Sequence, residues 1–366
     1  VSETELEVLL AELVGVPSLS GEEGAVADLA TAWLEERGVT VERLGDSLVG
    51  RVQGGREGPL LMLNSHLDTV GAGQGWSVDP WDVRWEDERL VGLGANDAKG
   101  CAAAMMWAAA SLARAPESLD GTLVLALNAC EETSNAGMAD VLEHLGMPDG
   151  AVTGEPTGLE VVRAQAGLAV LELTWEGRSC HAAHVARVEH TNALLAAARD
   201  LATFPEPWVL DGAHPLLGES TMAITVLHSG ERHNLIPDRA DAVVDARLAA
   251  PHDAAECVVL LQAALPGARV HVRSERLLAV ETDAEHPLVR AALASAGRQR
   301  AVGSSTLSDM ALLAGVPAVK CGPGLTARSH APDEFISRAE LAEGASFYER
   351  LVPAALRALS AQGVAS

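Results

Sequence analysis

Apolar residues follow two rhythms along this chain. Over residues 1–166, and again from about residue 278, they come in short solid runs separated by helix-like stretches. Between these parts they alternate with polar residues. The run Leu60-Leu61-Met62-Leu63, bounded by Gly58-Pro59, predicts a buried strand, and a polar tail, Asn64-Ser65-His66-Leu67-Asp68, follows at once. Further strands are predicted over 39–44, 48–52, 122–127, 151–153 and 318–320. The capping box Ser2-Glu3-Thr4-Glu5 starts a helix with Leu6, Leu9, Leu10 and Leu13 on its stripe. Ser20-Gly21-Glu22-Glu23 starts a second helix, running to about Arg37 and stopped by Gly38. An Ala-rich helix is predicted over 101–114, and others over 288–296, 308–313 and from Arg338 onward.

In the middle, LAVLELTW (168–175) partly alternates, as a strand with one exposed face should. A helix over 192–201 and strands over 221–227 and 240–248 complete that block. The expected architecture is an α/β sheet-and-helix domain, residues 1–166 and 278–366, interrupted by an inserted α+β domain, residues 167–277.

The length of 366 residues is comfortable for two domains, and 48% hydrophobic residues suffice for two cores. No apolar run approaches a bilayer span, and the acidic start Val1-Ser2-Glu3 is read as no signal peptide. The formal charge of −25 repels nucleic acid and anionic membranes. Five widely spaced cysteines without a CxxC argue against a disulfide framework and for a reducing cytoplasm.

The chemistry gathers where strands end. His66 and Asp68 share a face in extended chain. They are either a metal ligand with its orienting carboxylate or a structural pair. His66, Asp97, Glu131-Glu132, Glu155 and Ser329-His330 all follow likely element ends. Each alone could be a helix cap or a solvated turn; together they suggest a metal site. Three carboxylates crowded into one pocket would repel and raise one another's pKa unless cations neutralised them. Nitrogen and oxygen ligands without thiolate suit zinc, with cobalt or manganese as alternatives. Neighbouring side chains diverge, so one of Glu131 and Glu132 can bind metal while the other serves a metal-activated water as general base. A GxSxG elbow, an HExxH helix and a complete dinucleotide fingerprint are all missing from the sequence. Cys130, beside two carboxylates, is read as packing.

As a set, His66-Leu67-Asp68, Asn96-Asp97-Ala98-Lys99-Gly100, Glu131-Glu132, Gly154-Glu155-Pro156 and Ser329-His330 resemble the dinuclear-zinc metallopeptidase family. That family includes acetylornithine deacetylase, succinyl-diaminopimelate desuccinylase, aminoacylase and the glutamate carboxypeptidases. The resemblance runs in order from about Val14 to Phe335. It implies two zinc ions per subunit, bridged by Asp97, with His66 and Glu155 on one and Glu132 and His330 on the other. It implies Glu131 as general base, Asp68 as the group orienting His66, and a cis bond at Asp97–Ala98. It also implies that the inserted domain is a lid and dimerisation domain of a homodimer. Within Gly177-Arg178-Ser179-Cys180-His181, His181 would polarise the scissile carbonyl across the dimer; His184 lies nearby as the competing choice. Asn234-Leu235-Ile236-Pro237 and Asp245-Ala246-Arg247 imply a substrate-carboxylate site using Asn234 and the guanidinium fork of Arg247; a surface ion pair is the other reading of Arg247.

Ser308-Asp309, Cys321-Gly322-Pro323-Gly324 and Arg328-Ser329-His330-Ala331-Pro332-Asp333-Glu334 look most like the acetylornithine or acetylcitrulline deacetylase branch. Gly322, Gly324 and Arg328 are expected at the substrate, the glycines allowing close backbone approach. Two departures stand out. Gln165-Ala166 precedes Gly167 where many relatives carry a basic residue, and Asp46-Ser47 sits where Asn is common. The implied activity is hydrolysis of the amide of an N-acyl amino acid, N-acetylornithine first, in arginine biosynthesis. The alternatives are N-acetylcitrulline, a carrier protein linked to lysine or ornithine, a dipeptide, and a metal-free binding relative.

Overall fold

A computed structural model describes residues 3–363. The predicted capping box needs Ser2, which lies outside the described residues. The helix itself spans Glu3–Gly15 and buries Leu6, Leu9, Leu10 and Leu13, the predicted stripe.

The chain divides into two compact units. The part up to Ala164, Val280–Val302 and the part from Ser308 form one; Gln165–Ala279 with Gly303–Leu307 form the other. At the centre of the first lie four parallel strands in the order Asp120–Asn128, Arg56–His66, Gly150–Thr153 and Ala318–Lys320. Ser47–Gln53 and Thr40–Leu44 extend this sheet in antiparallel fashion, so the sheet is mixed. Leu63 pairs with Leu125 and Val152, which puts the predicted run in the middle.

Alternation along these strands feeds two cores. Leu61, Leu63, Leu123, Leu125, Leu127, Val152 and Val319 pack with helices Glu3–Gly15, Lys99–Leu112 and Arg338–Gly363 on one face. Met62, Val124, Ala126, Ala151 and Ala318 pack with Met138, Val141, Met310 and Leu313 on the other. Strands buried on both faces must read as solid apolar runs, which explains their visibility in the sequence. By the same alternation Asn64, His66, Asn128, Thr153 and Lys320 continue the second face toward the carboxyl ends. That face therefore turns from apolar to polar along the strands.

Two predicted helices needed correction. The second begins at Gly24, because the hydroxyl of Ser20 is spent on Asp68 Oδ2 at 2.7 Å rather than on a helix cap. The stretch 308–313 forms only a 3₁₀ turn, Asp309–Leu312. Gly315 at φ 86° and Pro317 stop it from propagating.

The second unit is a five-stranded antiparallel sheet in the order Trp208–His214, Gly218–Ser229, Arg239–Leu248, Gly167–Glu176 and Arg269–Leu277. Ala169, Leu171, Leu173 and Trp175 alternate into its core with Ala240, Ala242, Val244 and Ala246. Helices Ala193–Leu201 and Ala254–Ala264 add Ala193, Ala197, Cys257 and Leu261 to that core.

Candidate metal centre

His66 closes its strand and is buried. Its Nδ1 lies 3.0 Å from the Asp68 carbonyl oxygen and 3.4 Å from Asp68 Oδ1. Its Nε2 faces Asp97 Oδ1 at 3.3 Å. Asp97 stands before helix Lys99–Leu112, and its bond to Ala98 is cis. Asp97 Oδ2 lies 3.8 Å from His330 Nε2, which in turn lies 2.9 Å from Glu132 Oε1. His66, Asp97 and Glu132 each offer one donor atom within 4.8 Å of the other two. Glu155 follows the short strand Gly150–Thr153 and stands outside that group of three, though Asp97, His66 and Glu132 act on its charge.

Loop geometry is set by buried carboxylates. Asp68 accepts the backbone N–H groups of Glu131 and Glu132, at 3.1 Å each. Glu23 accepts those of Gly21 and Cys130, at 2.9 and 2.8 Å. Glu334 Oε1 accepts those of Asn96 and Asp97, both at 2.8 Å. The Asp97 turn and the Glu131–Glu132 loop are thus held by acids that satisfy buried donors. Lys99 is buried too, and its Nζ donates to Leu13 O and Val16 O at 2.9 Å, tying the first helix to the Asp97 turn.

The electrostatics show a crowded acidic site. Burial, then repulsion from Asp97, pushes Glu155 up to about 8. Burial likewise pushes Glu131 well up, with Glu155, Asp309 and Glu132 adding to it against the pull of His66. Burial alone would lower His66, but Asp68 and Asp97 hold it well above its ordinary value. The bond to Glu132 raises His330 to about 9. These donors fit a divalent cation: they are imidazoles and carboxylates, convergent and mutually repelling where they are anionic. Burial keeps the Cys101 thiol protonated, so no thiolate competes there.

Other expected residues have local work. A Cβ on Gly322 would meet Cys101 Sγ at 2.7 Å and Glu155 O at 2.7 Å; one on Gly324, at φ 84°, would meet Asn96 Oδ1 at 2.5 Å. Both glycines are thus required by packing within the chain. Arg328 donates to Glu340 Oε2 at 2.9 Å and stacks on Phe335. The remaining three lie in the second unit. His181 bridges to Leu235, and its Nδ1 accepts from Ala183 N at 3.1 Å. Asn234 O accepts from Ala182 N at 2.9 Å. Arg247 pairs with Asp245 through Nε at 2.7 Å and Nη2 at 3.1 Å.

Sequence reasoning put Glu23 at a helix start and Asp309 and Glu334 within family-like motifs, but gave none of them, nor Asn135, a role at the site. Asn135 carried only a backbone signal, since Asn tolerates the left-handed conformation it adopts, φ 53°.

An α/β sheet with imidazoles and carboxylates gathered at its carboxyl edge is the arrangement of a metal-dependent enzyme, and the family match makes it a hydrolase. The chain belongs to peptidase family M20/M25/M40, whose model matches residues 62–354. It is 31% identical over 277 residues to a succinyl-diaminopimelate desuccinylase of Novosphingobium aromaticivorans, covering 70% of this chain and 72% of that protein. It is 28% identical over 361 residues to an acetylornithine deacetylase of Erwinia tasmaniensis, covering 90% and 92%. Its fold matches a Bacillus subtilis protein described as a dinuclear metal-binding peptidase of family M20, with a TM-score of 0.75, 18% identity and coverage of 97% and 98%. No described helix is long and apolar enough to cross a membrane.

Proposed function

We propose that the chain is a zinc-dependent amidohydrolase that cleaves N-acyl amino acids, with N-acetylornithine as the expected substrate. The observation that carries this reading is the convergence of His66, Asp97 and Glu132, with His330 bonded to Glu132 and Asp97 beside it. Asp97 would bridge two zinc ions, His66 and Glu155 holding one and Glu132 and His330 the other. Bound zinc supplies a Lewis acid for the scissile carbonyl and lowers the pKa of the attacking water.

The chain's own groups do the rest. Glu131 takes the water proton and delivers it to the leaving amine nitrogen as the C–N bond breaks. Its raised proton affinity suits that exchange. Asp68 holds His66 by the ring nitrogen that faces away from Asp97. The second unit is the lid and dimerisation domain of a homodimer, with His181 polarising the carbonyl in the partner's site. Asn234 and Arg247 receive the substrate carboxylate, Arg247 exchanging Asp245 for it. All five cysteines are free thiols, in keeping with a cytoplasmic enzyme.

Support for that substrate comes from Ser308-Asp309, Cys321-Gly322-Pro323-Gly324 and Arg328-Ser329-His330, which look most like the acetylornithine deacetylase branch. A panel of N-acetylornithine, N-acetylcitrulline, succinyl-diaminopimelate, dipeptides and a lysine-linked carrier protein, assayed with zinc-loaded protein, tests it. The highest kcat/KM is expected on N-acetylornithine. Turnover of dipeptides alone would overturn the assignment.

A further inference from the structure

Asp309 belongs to none of the ligand groups, yet it is 1% exposed and faces Asn128 on the polar side of the sheet. Its Oδ2 accepts from Asn128 Nδ2 at 2.7 Å, and its Oδ1 accepts from Asn135 Nδ2 at 3.0 Å. The same Asn135 Nδ2 lies 3.4 Å from Glu131 Oε1. An amide nitrogen carries two N–H donors, enough for both carboxylates at once. Asn128 is anchored by the sheet, opposite His66 in the parallel pair.

Asn135 is also in an unusual position. It stands at the N-cap of helix Ala136–Leu145, where an Asn side chain ordinarily accepts from the first turn. Here the side chain makes no cap bond, the backbone is left-handed and the residue is 5% exposed. Its amide has been withdrawn from the helix and placed between two acids. The Asp309 carboxylate also fixes which way that amide points, because a flipped amide would set its oxygen against an anion.

We propose that Asp309 and Asn135 are positioning residues for the general base: Asp309 orients the Asn135 amide, and the amide holds Glu131 Oε1. This rests on the reading of Glu131 as base. Because the amide nitrogen only donates, Oε1 stays an acceptor in both protonation states, and the transferred proton is carried on Oε2.

Four variants test this in the zinc-loaded enzyme. Asn135→Ala is expected to lower kcat on the order of tenfold or more, with KM within about twofold and metal content unchanged. Asn135→Asp, although isosteric, is expected to be worse than Ala, since it sets a third carboxylate between two others. The exchange Asn135→Asp with Asp309→Asn restores a donor and acceptor between the two positions, so it should recover melting temperature over Asn135→Asp while kcat stays low. Parental kcat in Asn135→Ala, or recovery of kcat along with stability in the exchange, would overturn the proposal. Glu131→Gln is run beside them. A parental rate there refutes the base itself, whereas an inactive Glu131→Gln with an unaffected Asn135→Ala refutes only the positioning role.

Discussion

Asp68 Oδ1 accepts the backbone N–H of Glu131 at 3.1 Å, so the group expected to orient His66 also fixes the loop of the proposed base. Its other oxygen takes Glu132 N and Ser20 Oγ. One buried carboxylate therefore aligns His66, the proposed base Glu131 and the proposed ligand Glu132 together. Asp68→Asn keeps the size but turns one acceptor into a donor facing an N–H. Metal affinity and kcat/KM should each fall about 10–100-fold, measured by chelator competition and steady-state kinetics. An unchanged kcat/KM would contradict this.

Glu334 plays the matching part for Asp97, accepting two backbone N–H groups. Glu334→Ala leaves both buried donors without this acceptor and should cost about 1–3 kcal/mol or more, read as a lower denaturation midpoint. Glu334→Gln retains an acceptor oxygen and should recover most of the loss. Equal effects from both substitutions would show that charge, not the acceptor, matters.

Chelator-stripped protein should lose stability as pH rises. Glu155 is raised from 4.5 to about 8 and His330 from 6.5 to about 9. Both shifts are upward, so the folded chain binds more protons than the unfolded chain between those values. Their contribution is full below the ordinary values and lost as pH climbs through the raised ones. Zinc held at the proposed ligands would displace these protons. Melting temperature should therefore fall from about pH 6 to 9 in stripped protein and be much less pH-dependent once zinc is restored. A stripped protein that gains stability over that range would refute the shifts.

Arg247 is paired with Asp245 in the same strand. If it exchanges that partner for a substrate carboxylate, Arg247→Met should raise KM about 10–100-fold with little change in kcat, the loss of one charged hydrogen-bonded contact. An unaffected KM would leave the Asp245 pair as its whole role.

The elements that sequence made legible are those whose environment leaves a local mark. The run at Leu60 is buried on both faces, and Leu168–Trp175 on one, so each displays its own pattern. Ala254–Ala264 was not predicted: its apolar residues include adjacent Val258 and Val259 and show no clean stripe. Arg269–Leu277 was obscured by charged residues on its exposed side. The candidate ligands were legible because each stands beside a strand or helix end. Ser20, Glu23, Asp309 and Glu334 were not, because each has a decisive partner far away in sequence: the Asp68 carboxylate, Cys130 N, the amides of Asn128 and Asn135, and the backbone of Asn96 and Asp97. Ser20 shows the difficulty well, since its cap-like setting is real and a longer-range bond to Asp68 prevails.

Zinc-edge anomalous diffraction from crystals of the zinc-loaded protein tests the central claim most directly. Two strong peaks are expected on either side of Asp97, one against His66 and Glu155, the other against Glu132 and His330. A map with no peak there, or with zinc bound only elsewhere, would contradict the account.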